Sequence, residues 1–277
     1  MKLAFQGELG AFSHLAALEL FPESEIKTCQ TFEECFKLAL ENSEYKIIIP
    51  IENSLAGRVA DIHYLIPKYK LQIYAEYFHS VIHNLIGLKG AKLENIKTVR
   101  SHFQAIGQCQ NIINKNNLKP IISADTAGSA KYISEKKDKT ESALASSLAA
   151  EIYDLEIIVG HVEDDPENVT RFLIMGKEIH HPERKDKKYI TSCIFRVKSK
   201  PAALYKCLGG FATNNVNLCK LESFSAKNSF KQVNFFIDLE GHIEEPMVQK
   251  SLEELGFHTE SLDILGVYEA DKFRFKK

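Results

Sequence analysis

Residues 47 to 59 read IIIPIENSLAGRV, an apolar run that stops at Pro50 and gives way to Ile51, Glu52, Asn53 and Ser54. A β-branched run closed by a breaker predicts a central strand buried on both faces. The residues after the breaker then form the loop at the carboxyl end of that strand, the place where open α/β sheets bind ligands. The local chemistry leaves two readings open. Asn53 or Ser54 caps a helix beginning near Ala56, or the polar residues Glu52, Asn53 and Ser54 form part of a binding site.

Toward the amino terminus, Lys2 to Gln6 alternates like a short strand, and Gly7, Gly10 and Ser13 lead into a helical pattern ended by Pro22. The glycine loop GELGAFS has neither the dinucleotide nor the P-loop spacing. Thr31 and Glu34 make a capping box for a helix through Leu40, so the order up to the 47–59 stretch is β-α-β-α-β.

Toward the carboxyl terminus, a helix after Arg58 ends at Pro67, and Leu71 to Phe78 and Ser80 to Leu88 read as two long strands. A second α/β set comes next: strand 96–100, helix 102–114, strand 120–124 and helix 127–135. Ser101 and Asp125-Thr126 fall where strands hand over to helices, and each hydroxyl either caps its helix or holds a substrate carboxylate. Gln104 and Gln108 lie four apart on one helical face, with Gln108 looking back toward Ser101. Helix 147–153, strand 157–160 and the acidic loop HVEDDPEN lead to a strand over 169–176 that opens with Thr170, Arg171 and Phe172.

The stretch EIHHPERKDKK, Glu178 to Lys188, is charged and proline-containing, as linkers between domains are. It divides the chain into a first domain of residues 1–178, a linker at 179–189 and a second domain of residues 190–277. The second domain reads strand 190–197, helix 202–211, strand 216–222, turn at Lys227-Asn228, strand 230–239, helix 246–255 and strand 257–267. That β-α-β-β-α-β order is ferredoxin-like. Val233, Phe235, Ile237 and Leu239 alternate onto one sheet face beneath the helices. The other face and the edges need cover, and self-association is one way to supply it.

The 277 residues are 44% hydrophobic and 26% charged with a formal net charge of -2, an ordinary globular composition that implies no nucleic-acid partner. Six cysteines without a C-x-x-C pair fit reduced thiols rather than a disulfide frame or a zinc site. The amino terminus lacks the apolar core of a signal peptide and no run reaches a membrane span, so a cytoplasmic protein without a membrane partner is expected.

Together PIENSLAG, SHFQAIGQC, ADTAGSA and ENVTRFLIMG resemble, in order, the four signature stretches of prephenate dehydratases. The second domain resembles an ACT domain, with KPAALYKCLGGFATNNVNLCKLES as its recognisable half. The resemblance is to the monofunctional form, since no chorismate mutase or dehydrogenase segment precedes Met1. It implies an α/β fold in which a two-lobed, periplasmic-binding-protein-like catalytic domain holds its site in a cleft. A ferredoxin-like βαββαβ ACT domain, which senses L-phenylalanine, comes after it.

The activity implied is that of a hydro-lyase that removes CO2 and water from prephenate to leave phenylpyruvate, with no cofactor or metal. Arogenate dehydratase is the alternative enzyme, and a non-catalytic amino-acid-sensing binding protein the alternative of another class. Such a site needs donors, one acid and a dry pocket. By acidity alone Glu52 is the acid. The resemblance points instead to Thr170, donating to the leaving hydroxyl and relayed to a protonated neighbour such as Glu52. Arg171 then supplies positive charge to a substrate carboxylate or holds Glu52, and Phe172 walls the pocket. Asn53, Ser54, Ser101, Gln108 and Thr126 position the substrate.

The family usually has Pro where Phe103 stands. ACT domains of these enzymes carry Gly-Ala-Leu after Lys-Pro and Glu-Ser-Arg-Pro after the second strand, the stretches that enclose phenylalanine. Here they read Ala202-Ala203-Leu204 and Glu222-Ser223-Phe224-Ser225, with Asn215 and Asn217 as further polar contacts. The methyl of Ala202 is expected to intrude on the ligand and to exclude a positive φ. Phenylalanine inhibition is therefore expected to be weaker or retuned, in a homodimer or homotetramer.

Overall fold

The computed structural model describes residues 1–198, 200–225 and 232–275. In chain order the elements are β1 (Lys2–Gln6), α1 (Phe12–Leu20), β2 (Glu25–Cys29), α2 (Phe32–Glu41), β3 (Tyr45–Asn53), β4 (Gly57–Arg58), α3 (Ala60–Tyr69), β5 (Gln72–Ser80) and β6 (Asn84–Gly87). They continue with β7 (Thr98–His102), α4 (Phe103–Gly107), α5 (Gln110–Lys115), β8 (Lys119–Ser123), α6 (Thr126–Lys136), β9 (Glu141–Ala145), α7 (Ser147–Ile152), β10 (Glu156–Val159) and β11 (Val169–Gly176). The remainder is β12 (Tyr189–Val197), α8 (Ala203–Thr213), β13 (Leu218–Ser225), β14 (Val233–Glu240), α9 (Pro246–His258) and β15 (Thr259–Glu269). Contacts group the chain into two compact units, one of residues 1–35, 48–58 and 78–172, the other of 36–47, 59–77 and 173–277.

The first unit contains strands of two sheets. One has the order β2-β1-β3-β11-β5, with β4 paired to β3, and its last three strands continue beyond the unit's bounds. The apolar run of β3 is central, as its composition predicts, with Ile47, Ile48, Ile49 and Ile51 fully buried. Pro50 does not end it. Proline's φ suits an extended backbone and costs one ladder donor, so β3 runs on to Asn53.

No helix starts near Ala56. Asn53 Oδ1 accepts from the N–H groups of Leu55 and Ala56 at 3.1 and 2.8 Å, making a turn into β4, and α3 begins only at Ala60. The side-chain cap is therefore on a turn, not on a helix. Pro67 also lies inside α3, in its last turn, where one missing N–H is tolerated before Lys70 closes the helix at φ 51°.

The other sheet of this unit has the order β10-β6-β9-β7-β8. Its central strand β9 pairs parallel with β7 and antiparallel with β6. Leu144 packs on one face with Leu85, Val99 and Ile113, while Ala143 and Ala145 pack on the other with Ile86, Ala130 and Ile133. The predicted helix over 102–114 is broken into α4 and α5. Asp164, from the acidic loop, accepts from the N–H groups of Gln110 and Asn111 at 2.8 and 3.0 Å and starts a new helix there. The predicted strand from Ser80 to Leu88 shortens to β6.

In the second unit, β13-β14-β12-β15 form an antiparallel sheet carrying α8 and α9 on one face, in the predicted β-α-β-β-α-β order. Phe235, Ile237 and Leu239 meet Cys207, Phe211, Val248 and Leu255 there. The expected turn at Lys227-Asn228 lies outside the described residues.

The opposite sheet face is covered from within the chain. His63 on α3 stands 5.7 Å, ring to ring, from both Phe224 and Phe236, and Gly266 lies against the backbone of Ile73. Self-association is not needed to cover what these contacts bury. The last described turn is anchored too. Arg274 donates to both oxygens of the buried Glu76 at 2.6 and 2.7 Å, and the Asp271 N–H adds a bond of 3.1 Å.

Candidate active site

The carboxyl end of β3 and the start of β11 are adjacent in one sheet, and successive side chains on each strand point to opposite faces. Asn53 and Thr170 meet on one face, where Asn53 Nδ2 donates to Thr170 Oγ1 at 3.0 Å. Glu52 and Arg171 meet separately, with an Arg171 guanidinium nitrogen donating to Glu52 Oε1 at 3.0 Å. Arg171 is 1% exposed against 32% for Glu52, so a buried cation is held by a carboxylate that still reaches solvent. The guanidinium also lies 5.9 Å from the centre of the Phe78 ring.

Asn53 is the hub. Its oxygen takes the two turn N–H groups, which fixes the amide with its nitrogen toward Asn168 Oδ1 at 2.7 Å, Val169 O at 3.2 Å and Thr170 Oγ1. Asn168 Nδ2 then donates to Gln108 Oε1 at 3.0 Å, and His83 Nε2 bonds the same oxygen at 3.0 Å. Thr170 accepts from Asn53, and among the described residues no acceptor takes its own proton.

The other residues singled out by sequence fall into two groups. Ser54 donates to Glu167 O and accepts from Val169 N, each at 3.0 Å, stitching the β3 turn to β11. Ser101 is fully buried in β7 and donates to Leu144 O at 2.7 Å. It caps no helix, and Gln108 bonds His83 and Asn168 rather than looking back to it. Thr126 is the first residue of α6, capped by Asp125 instead, and among the described residues it shares no hydrogen bond with the Asn53 network. Phe172 is buried two residues after Thr170, on the same face. Phe103, in the position the family usually gives to Pro, is well exposed and tilted against the His102 ring.

Among the described residues no hydrogen bond joins Thr170 to Glu52, and the two belong to pairs on opposite faces. Asn168 and His83 were not singled out by sequence. Asn168 had a signal: it lies just ahead of β11, two residues before Thr170, within the stretch ENVTRFLIMG. His83 and Glu163, whose Oε2 accepts the His83 N–H at 2.9 Å, come from segments with no local mark of a site. Burial pushes the His83 imidazole's pKa below its ordinary value, against the smaller raising effects of the Gln108 bond and the Glu163 charge.

At the start of α8, Ala202 takes φ 58°, ψ 21°, so its methyl does not exclude the left-handed backbone expected of glycine there. Ala202, Ala203 and Leu204 line an open cavity of about 490 Å³ with Lys198, Lys200 and Glu260. Asn215, Asn217, Glu222 and Ser223 are not among its lining. Phe224 turns its bulk toward His63 and Tyr64 of α3, not into that cavity.

Residues 3–180 match the family model described as prephenate dehydratase. The chain belongs to the prephenate dehydratase family. A Komagataeibacter europaeus protein named bifunctional N-acyl-homoserine lactone acylase/prephenate dehydratase is 40% identical over 99% of this chain and 98% of its own length. Arogenate dehydratase/prephenate dehydratase 1 of Arabidopsis thaliana is 36% identical over 99% of this chain and 73% of its own. Among solved structures, the prephenate dehydratase of Arthrobacter aurescens in complex with L-Phe superposes with TM-score 0.90 at 25% identity, covering 98% of this chain and 90% of that one. The α/β fold with mixed sheets is that of these prephenate dehydratase structures.

Proposed function

We propose that this chain converts prephenate to phenylpyruvate, CO2 and water, with Thr170 as the group that acts on the departing hydroxyl. The observation that carries the assignment is the Asn53–Thr170 bond. An amide N–H fixed onto Thr170 Oγ1 leaves the hydroxyl proton directed away from Asn53 and makes the hydroxyl a better donor. As the ring carboxylate leaves as CO2, its bond electrons enter the ring and expel the hydroxyl at the far carbon. A hydrogen bond that strengthens as negative charge collects on that oxygen lowers the barrier. The departing hydroxide stays hydrogen-bonded to Thr170, which keeps its own proton, and takes a proton from solvent to become water, while formation of the aromatic ring drives the step.

Glu52 serves as the partner that holds Arg171, whose fixed positive charge favours a bound dicarboxylate. Asn53 and Gln108 orient the polar groups and Phe172 excludes water, while Ser54 and Ser101, with their protons committed to carbonyls, brace the loops. Thr126 contributes from the start of α6. The domains are the catalytic residues 1–178, a linker at 179–189 and an ACT effector domain at 190–277. We assign a cytoplasmic homodimer or homotetramer responsive to L-phenylalanine, and the cavity at Ala202 to Leu204 supports that effector site.

Parallel assays with prephenate and arogenate test the assignment, reading phenylpyruvate and phenylalanine. A higher kcat/KM for prephenate is expected, and turnover of arogenate alone would replace the substrate. The Komagataeibacter relative's name supports a second reading, acylase activity, for which release of fatty acid from an N-acyl-homoserine lactone is the readout.

A further inference from the structure

The polar chain through Asn53, Asn168 and Gln108 has a direction. The Leu55 and Ala56 N–H groups are donors only, so Asn53 must present its oxygen to them and its nitrogen to Asn168 Oδ1. Asn168 must in turn present its nitrogen to Gln108 Oε1. His83 Nε2, 3.0 Å from that same oxygen, therefore has to carry hydrogen, since a bare nitrogen there would set lone pair against lone pair.

The tautomer has a cost. His83 Nδ1 becomes a buried acceptor with no hydrogen-bond partner among the described residues, on a residue only 2% exposed. Buried polar atoms are seldom left so, and one that persists calls for a reason. The ring is firmly seated. The His83 N–H bonds Glu163, its carbonyl accepts from Val162 at 2.9 Å, and the Phe12 ring stands edge-on at 5.3 Å.

We infer that His83 is a positioning residue for the reaction, its Nε2–H closing the far end of the amide chain so that Gln108 and Asn168 brace the Asn53 side chain against Thr170. Without that donor Gln108 Oε1 loses one of its two partners, so the Gln108 and Asn168 side chains that brace Asn53 are held less firmly, while the Leu55 and Ala56 N–H groups still fix which end of the Asn53 amide faces Thr170. The inference rests on the proposed role of Thr170, and His83 itself touches no reacting atom in it.

The test compares His83→Leu with His83→Gln, whose amide nitrogen can replace Nε2–H. Loss of one buried bond in the chain is expected to lower kcat of His83→Leu about ten- to hundredfold, with KM within about threefold. His83→Gln should recover most of the loss at equal folded fraction. If His83→Leu does not fold, Gln108→Leu cuts the same link from the other side and should give the same split. Equal kcat in wild type and His83→Leu, or no recovery in His83→Gln, overturns the inference. Nitrogen NMR of the wild-type imidazole is independent of turnover. The Nε2–H tautomer is expected, and an Nδ1–H tautomer refutes the inference even where prephenate is turned over normally. Absence of wild-type turnover with the Nε2–H tautomer present would instead count against the substrate assignment.

Discussion

Replacing Thr170 by Val removes the hydroxyl and keeps the volume, and the structure separates what that does to stability from what it does to rate. Asn53 Nδ2 keeps two acceptors, Asn168 Oδ1 at 2.7 Å and Val169 O at 3.2 Å, so no buried donor is orphaned. The stability cost should stay within about 1 kcal/mol, the ordinary net worth of one hydrogen bond. The rate has no such reserve. If Thr170 supplies the acid-like contribution to hydroxyl departure, kcat should fall by about two to four powers of ten, or about 3–5 kcal/mol in the barrier. KM should change little, because the interaction grows in the transition state rather than in the bound substrate. Steady-state kinetics with prephenate, beside thermal denaturation, measures both, and Thr170→Ser should retain most of the rate. A Thr170→Val enzyme with kcat within about threefold of wild type would refute the reasoning.

Glu52→Gln removes the charge facing a guanidinium that is 1% exposed, and should cost about 1–2 kcal/mol once the one-third exposure of Glu52 is allowed for. An unchanged denaturation midpoint would show the pair to be inert. Gly266→Ala would bring a methyl to 2.2 Å from the carbonyl oxygen of Ile73. Overpacking of that kind costs about 1–3 kcal/mol, which differential scanning calorimetry should report as a lower Tm. Ala202→Gly relieves a left-handed alanine worth about 1–2 kcal/mol, less about 0.5–1 kcal/mol for glycine's greater freedom when unfolded. It should bind phenylalanine more tightly by calorimetry than the wild type. Micromolar binding with full inhibition by the wild type would show Ala202 to be harmless. Light scattering at micromolar concentration should give a dimer or tetramer mass, and a monomer mass refutes the assembly.

The parts of the fold legible in the sequence are those fixed by local chemistry. The buried isoleucines of β3, the Thr31–Glu34 cap, seen as Glu34 N–H to Thr31 Oγ1 at 3.1 Å, and the alternation of β14 each carry their own signature. The features that escape a sequence reading are non-local. β9 reads ESALA, with no β-branched residue, and it is a strand because both its faces are buried between neighbours. The break between α4 and α5 comes from Asp164, more than fifty residues downstream. At the site, Glu52, Asn53, Thr170 and Arg171 are readable, and Arg171 holding Glu52 is one of the two alternatives the sequence offers, but the Asn53–Thr170 pairing is not readable. The sorting into Asn53 with Thr170 and Glu52 with Arg171 comes from strand parity, which leaves the expected relay between Thr170 and Glu52 on the wrong faces. His83 enters only through contacts made across the fold.

The most direct measurement is the stoichiometry of one reaction: the purified chain of residues 1–277 with prephenate near neutral pH, phenylpyruvate read by absorbance in alkali and CO2 by trapping. Equal amounts of phenylpyruvate and CO2, formed catalytically and lost in step with kcat in Thr170→Val, are the expected result. No phenylpyruvate above the spontaneous rate from a folded protein would contradict the account.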